Sequence, residues 1–202
     1  MKTKLILTIV ASLVTTGLYA FDPPPVGSAA PDFSLTDAKG KAHSLLQYKG
    51  KYVVLEWFNP ECPFVKKHYG SGNMQKLQEE YTNKGVTWLT IDSSAPGTEG
   101  SLSADAASKV MTGWKTRQTA LLLDPDGKAG RAYGAKNTPN MVVIDPDGKI
   151  AYEGAIDSKA TPNPADIPTS TNYVKVALDE SLEGKPVTTS TTKPYGCSVK
   201  YK

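Results

Sequence analysis

The sequence predicts an α/β fold, a central mixed sheet flanked by helices, and three observations carry that expectation. Tyr52, Val53, Val54, Leu55, Trp57 and Phe58 form an apolar run without alternation, interrupted only by Glu56. Such a run suits a strand buried on both faces, as parallel sheets require. A second run, residues 86–91, follows a segment in which Met74, Leu77 and Tyr81 share one helical face. Residues 141–144 and 150–153 flank the turn Asp145-Pro-Asp-Gly148 and read as an antiparallel hairpin, which makes the sheet mixed.

Composition bounds the rest. Residues 1–20 carry Lys2 and Lys4, then an apolar stretch from Leu5 to Val14, then small residues up to Ala20. This is the pattern of a secretory leader cleaved after Ala20, too short in its apolar part to cross a bilayer permanently. Losing Lys2 and Lys4 takes the basic residues from 23 to 21 against 20 acidic ones, a net charge of about +1. That balance gives no reason to expect nucleic acid or an acidic membrane surface as partner. With 39% hydrophobic and 21% charged residues in the full sequence, the chain suits one globular domain. The expected organisation is an extended lead-in over 21–30, a domain over 31–184 and a tail over 185–202. Export to a secreted or periplasmic location puts the two cysteines where pairing is chemically permitted.

In order along the chain, Asp22-Pro-Pro-Pro25 is stiff and extended. Short strands around Lys39-Gly40 predict a hairpin within 31–44, and residues 45–48 a helical turn. After the first long strand, Asn59 and Pro60 stop the sheet, and Pro63 suits a first helical turn because its missing amide hydrogen costs nothing there. That helix breaks near Gly70-Ser71-Gly72 and resumes with Asn73 as its cap. Residues 92–103 form a polar loop after a parallel strand, either bordering the Cys62 thiol, where open α/β sheets place ligands, or serving as a solvated connection. A helix over 104–114, a strand over 120–123 and a short helix over 128–133 follow. Residues 157–170 read as proline-rich loop. A last helix over 172–182 is amphipathic through Tyr173, Val176, Ala177 and Leu182, and Gly184 ends it.

Cys62 falls at a helix N-terminus, where unpaired amides and the positive end of the helix dipole favour an anion. A thiolate is the nucleophilic form of cysteine, so Cys62 is expected to be acidic and reactive, with Lys66 adding to the bias. The competing reading is a buried, inert cysteine; the Pro-Glu-Cys-Pro setting is too sharply turned for core filling. His43 and His68 are the only histidines, and with two cysteines they fall short of a convincing metal site. No metal and no cofactor are expected.

Residues 27–154 resemble the thioredoxin superfamily, and within it the alkyl hydroperoxide reductase/thiol-specific antioxidant (redoxin, peroxiredoxin-like) branch. The carrying residues are Ala30-Pro31-Asp32-Phe33-Ser34-Leu35 with Asp37 and Gly40, Gly50-Lys51, Cys62-Pro63, Tyr133-Gly134, Thr138-Pro139, and 141–145 with Asp147-Gly148. The tail Lys193-Pro-Tyr-Gly-Cys197 is similar to the end of a peroxiredoxin-like subgroup with a second cysteine there. The resemblance implies a thioredoxin-like fold and thiol-disulfide oxidoreductase chemistry on protein thiols or disulfides, or on peroxide, with an external thiol reductant. It implies that Pro139 is cis and that Thr138 offers its backbone to an extended partner, so Asn59, Pro63, Thr138 and Pro139 are the expected substrate-binding positions. It also places Glu56 where thioredoxins keep a buried acid, able to relay a proton once burial raises its pKa; the competing reading is a carboxylate that escapes to solvent at the strand end.

Departures from the family pattern narrow the chemistry. Val65 stands where thioredoxins keep a second cysteine, and Leu55 and Asn59 stand where peroxiredoxins have proline and threonine or serine. Asn137 and Thr138 occupy the place of their peroxide-binding arginine, which argues against strong peroxidase activity. Cys197, 135 residues beyond Cys62, reaches it only if the tail folds back. Two roles stay open for it, a resolving thiol or half of a permanent structural disulfide in a non-catalytic binding domain.

Overall fold

The computed structural model describes residues 22–202; the leader expected over 1–20 lies outside the described residues. Its strands are β1 (Ser34–Asp37), β2 (Ala42–Ser44), β3 (Val53–Trp57), β4 (Thr87–Asp92), β5 (Ala120–Leu123), β6 (Asn137–Thr138), β7 (Asn140–Ile144), β8 (Ile150–Gly154) and β9 (Cys197–Ser198). The α-helices are α1 (Pro63–Gly70), α2 (Asn73–Asn83), α3 (Ala104–Gly113), α4 (Lys128–Ala132) and α5 (Tyr173–Leu182). Seven strands join in the order β2-β1-β5-β4-β3-β7-β8, and β6 pairs with β9 apart from them. β3, β4 and β5 are mutually parallel while β7 and β8 run antiparallel, so the sheet is mixed as expected.

The apolar run earns its central place by serving two cores. Val54 and Phe58 face a core completed by Val65, Met74, Tyr81, Trp88 and Leu178. Val53, Leu55 and Trp57 face the opposite one, with Leu89, Leu122, Tyr133 and Val142. A strand at the sheet centre has no solvent face, which is why alternation is missing. The hairpin, the turn at 45–48 and the late hairpin form where the residue pattern places them.

Four details differ. Gly72, at φ +76°, is the cap of α2, because the sharp reversal from α1 needs a left-handed residue; Asn73 is the first helical residue and its amide turns to His68 Nδ1 at 2.9 Å. The loop expected over 157–170 contains a 3-10 turn, Pro164–Thr169, capped by Asn163. The buried face of α5 is Val174, Ala177, Leu178 and Ser181, with Leu182 left 37% exposed. Residues 27–30 fasten to the late hairpin, since Gly27 N–H donates to Ile150 O in β8 at 2.8 Å and Ala30 N–H to Gly148 O in the turn before it at 2.9 Å.

Candidate active site

The carboxyl ends of the parallel strands carry the site. β3 leaves the sheet at Trp57, and the Asn59 side chain closes the turn by accepting the Glu61 N–H at 2.7 Å. Its amide donates to Glu99 O at 3.3 Å, which ties the loop after β4 to the same turn. Cys62 is the N-cap of α1 and Pro63 its first residue. The sulfur is fully buried, and its thiol donates to Thr138 O at 3.2 Å. The Thr138–Pro139 peptide is cis, as expected.

The backbone edge of Thr138, expected to be open for an incoming chain, is paired with this chain's own tail. β9 lies antiparallel on β6, with Thr138 opposite Cys197 and Asn137 opposite Ser198. Asn137 Nδ2 donates to Gly196 O at 3.0 Å and Val199 N–H to Lys136 O at 3.0 Å. Further along, Ala95 N–H donates to Lys200 O at 2.8 Å and Tyr201 OH to Ala135 O at 2.7 Å. Gly196 crosses so close that a Cβ there would lie 2.0 Å from Thr138 O, and its φ of +120° also requires glycine. The tail is therefore a strap over the site rather than a loose linker, and it carries Cys197 onto Cys62, both of them free thiols.

A family model described as AhpC/TSA matches residues 26–153. The chain belongs to the AhpC/TSA family. The match ends before the tail, so Cys197 lies beyond the shared stretch. Among relatives of this AhpC/TSA chain is a thiol-disulfide oxidoreductase ResA of Geobacillus kaustophilus, 33% identical over 100 residues. That alignment covers 48% of this chain and 56% of the relative, so the chain spans little more than half of its length. A crystal structure of an uncharacterized conserved protein from Geobacillus kaustophilus superposes with a TM-score of 0.75 at 30% identity, covering 88% of this chain and 93% of the other. The thioredoxin domain of a thiol-disulfide oxidoreductase from Bacteroides vulgatus, 23% identical, superposes at 0.53 over 72% and 97% of the two chains, which identifies the fold as thioredoxin-like.

In this AhpC/TSA protein the two sulfurs are electrostatically unequal. Burial by itself pushes the Cys62 thiol up, but the Cys197 and Thr138 side chains and the amides of Val65 and Cys197 outweigh it, and Cys62 ends below its ordinary value. Burial, then the Cys62 sulfur itself, push Cys197 up to about 12. Two thiols this close share protons, so the pair titrates in two macroscopic steps. Ultraviolet absorbance of thiolate is expected to rise in a first step below the ordinary thiol value and a second near 12. A single step at an ordinary thiol value would refute this inequality.

Glu56 is buried completely, and burial raises its carboxyl pKa against four hydrogen bonds that lower it. Tyr69 OH and Trp88 Nε1 donate at 2.8 Å each, Thr90 Oγ1 at 3.2 Å and Gln78 Nε2 at 3.3 Å. Cys62 is none of these four, so Glu56 sits beneath the site without a hydrogen bond to the sulfur. His68 lies in α1 and is fully buried. Among the described residues no group of three or more His, Cys, Asp or Glu side chains is arranged to hold a metal ion.

Sequence reasoning missed Lys67, Asp157 and Tyr195. Lys67 Nζ, buried, meets Asp157 Oδ2 at 3.0 Å and Lys159 O at 2.9 Å, and Asp157 Oδ1 accepts the Tyr195 hydroxyl. A lysine on a short helix reads as a solvated residue, and no local pattern marks it otherwise. The available signal was Tyr195, a large aromatic two residues before a cysteine in a polar tail.

Proposed function

We propose that this protein is an exported thiol-disulfide oxidoreductase with Cys62 as nucleophile and Cys197 as resolving thiol. One observation carries the reading. The tail brings a second cysteine from 135 residues away to the backbone edge that holds the first. The ResA relative supports the reaction class, and the leader-like pattern of residues 1–20 supports export. No helix among the described residues is long and apolar enough to cross a membrane.

The Cys62 thiolate attacks one sulfur of a partner disulfide, forming a mixed disulfide and releasing the other partner sulfur as thiolate. Cys197 then loses its proton and attacks the Cys62 sulfur, forming the Cys62–Cys197 disulfide and expelling the second partner thiolate. The partner gains two electrons, and an external dithiol restores the protein by giving two back. Burial raises the Cys197 pKa first and the Cys62 anion adds to it. Once Cys62 is in a mixed disulfide that second contribution vanishes, so the resolving thiol becomes easier to ionise after the first step and not before. For the partner to reach Thr138, Pro139, Asn59 and Pro63, the strap has to lift from the edge it occupies.

The decisive experiment mixes reduced protein with a protein disulfide and, separately, with hydrogen peroxide in stopped flow. Fast oxidation by the protein disulfide and slow oxidation by peroxide is the expected result. The reverse order would make the protein a two-cysteine peroxidase. A Cys62–Cys197 disulfide with a reduction potential well below about −300 mV would mark a structural bond instead.

A further inference from the structure

The tail strap is anchored by a buried ionic cluster that takes no part in the exchange chemistry. Lys67 is 1% exposed and Asp157 2% exposed. Burying an ammonium and a carboxylate carries a desolvation cost that apolar side chains of similar volume avoid, so packing alone gives no reason for the pair. What such a pair supplies is direction. Asp157 Oδ2 takes Lys67 Nζ at 3.0 Å, Oδ1 takes Lys159 N–H at 2.9 Å, and the same Oδ1 accepts the Tyr195 hydroxyl. His68 Nε2 is 3.7 Å from Asp157 Oδ2. Burial, reinforced by Lys67, holds that imidazole down to about 4 against the pull of Asp157, so near neutral pH it is uncharged and leaves the carboxylate to Lys67 and Tyr195.

Each member ties the strap to the helix that begins at the reactive sulfur. Lys67 belongs to α1, whose N-cap is Cys62. The Tyr195 ring packs on Phe64 of that helix with centroids 5.7 Å apart, and Lys67 Nζ stands 5.7 Å from the same ring centroid. From Tyr195 the chain passes through Gly196, against Thr138 O, to Cys197 opposite Thr138. Thr138 O in turn receives the Cys62 thiol. The contacts close a loop from Cys62 through α1, Lys67, Asp157 and Tyr195 back to Cys62.

We propose that Lys67, Asp157 and Tyr195 form a latch that fixes the register of the tail and so positions Cys197 for closure onto Cys62. They are positioning residues for the exchange reaction, and the inference rests on the resolving role given to Cys197 above. The latch also sets the access rule for a partner, since the strap leaves the Thr138 edge only when the Tyr195 hydroxyl leaves Asp157.

The test uses the full chain and dithiobis(nitrobenzoate), an aryl disulfide whose thiolate is coloured. Attack by one protein thiol breaks the aryl disulfide, forms a mixed disulfide and releases one aryl thiolate. Attack by the other protein thiol then forms Cys62–Cys197 and releases a second. Whichever sulfur reacts first, the second release is the intramolecular closure. Tyr195→Phe keeps the ring on Phe64 and removes one hydrogen bond to a carboxylate, so closure is expected to slow about tenfold or more while the first release does not slow. Lys67→Met is expected to act in the same direction, and the double variant to be no slower than the slower single one, since both break one latch. If Lys67→Met fails to fold by near-ultraviolet circular dichroism, Tyr195→Phe decides alone. Closure at the wild-type rate in Tyr195→Phe, even with a lowered melting temperature, would show a merely structural cluster and overturn the latch. A wild-type protein that releases the first thiolate and never the second would overturn the resolving role of Cys197 itself, and the latch with it.

Discussion

Replacing Cys62 with serine is expected to reduce thiol-disulfide exchange by about three orders of magnitude or more, as loss of a nucleophile does in covalent catalysis. A hydroxyl at the α1 N-cap can still accept amide hydrogen bonds, so the fold should persist and circular dichroism should match the wild type. Replacing Cys197 with serine should separate the two halves of the reaction. The first attack remains, and the mixed disulfide at Cys62 then accumulates in place of turnover, visible as a mass adduct. If the Cys62→Ser protein exchanges disulfides as fast as the wild type, the assignment of the nucleophile is wrong.

The largest expected effect on stability comes from Glu56. Its carboxylate accepts from Tyr69, Gln78, Trp88 and Thr90 in an interior without water access. Glu56→Ala leaves those donors unpaired around a cavity, so a loss of about 3–4 kcal/mol is expected, a fall of roughly 10 °C in melting temperature for a domain of this size. Glu56→Gln preserves the volume and carries no titrating group. Burial raises the Glu56 pKa above its ordinary 4.5, so the native state holds this proton more tightly than the unfolded chain does. That contribution is complete below about 4.5 and is lost as pH rises through the higher folded value. The wild type should therefore lose stability relative to Glu56→Gln as pH rises above about 4.5, measured by denaturant melts across that range. Exchange by Glu56→Gln should keep the wild-type pH profile, because the carboxylate shares no hydrogen bond with Cys62. A displaced profile would instead restore the proton relay that the position of Glu56 suggests.

The strap changes how the reactive sulfur should be probed. A thiol at the start of a helix invites alkylation, yet here Cys62 is fully buried beneath residues 195–198, whereas Cys197 is half-buried. Acidity and accessibility are therefore separate properties in this protein. A slow reaction with a bulky reagent reports the strap, and the thiolate absorbance reports the acidity.

From the residues alone came the central strand, the helix start at Cys62-Pro63 and the late hairpin. These depend on local rules: a double-faced strand has no alternation, proline fits a first helical turn, and Asp-Pro-Asp-Gly turns a chain. The direction of the Glu56 shift was legible too, because an apolar strand is expected to raise a carboxyl pKa, whereas its burial away from the strand end was settled by the tertiary structure. Only the tertiary structure decided where the tail lies, what occupies the Thr138 edge, and that Lys67 is buried against Asp157. Those contacts join positions 38 to 135 residues apart, from Asp157 and Tyr195 to Cys62 and Cys197. Pairings at such separation leave no periodicity in sequence, because what selects them is the free energy of the closed assembly and not the preference of any one segment.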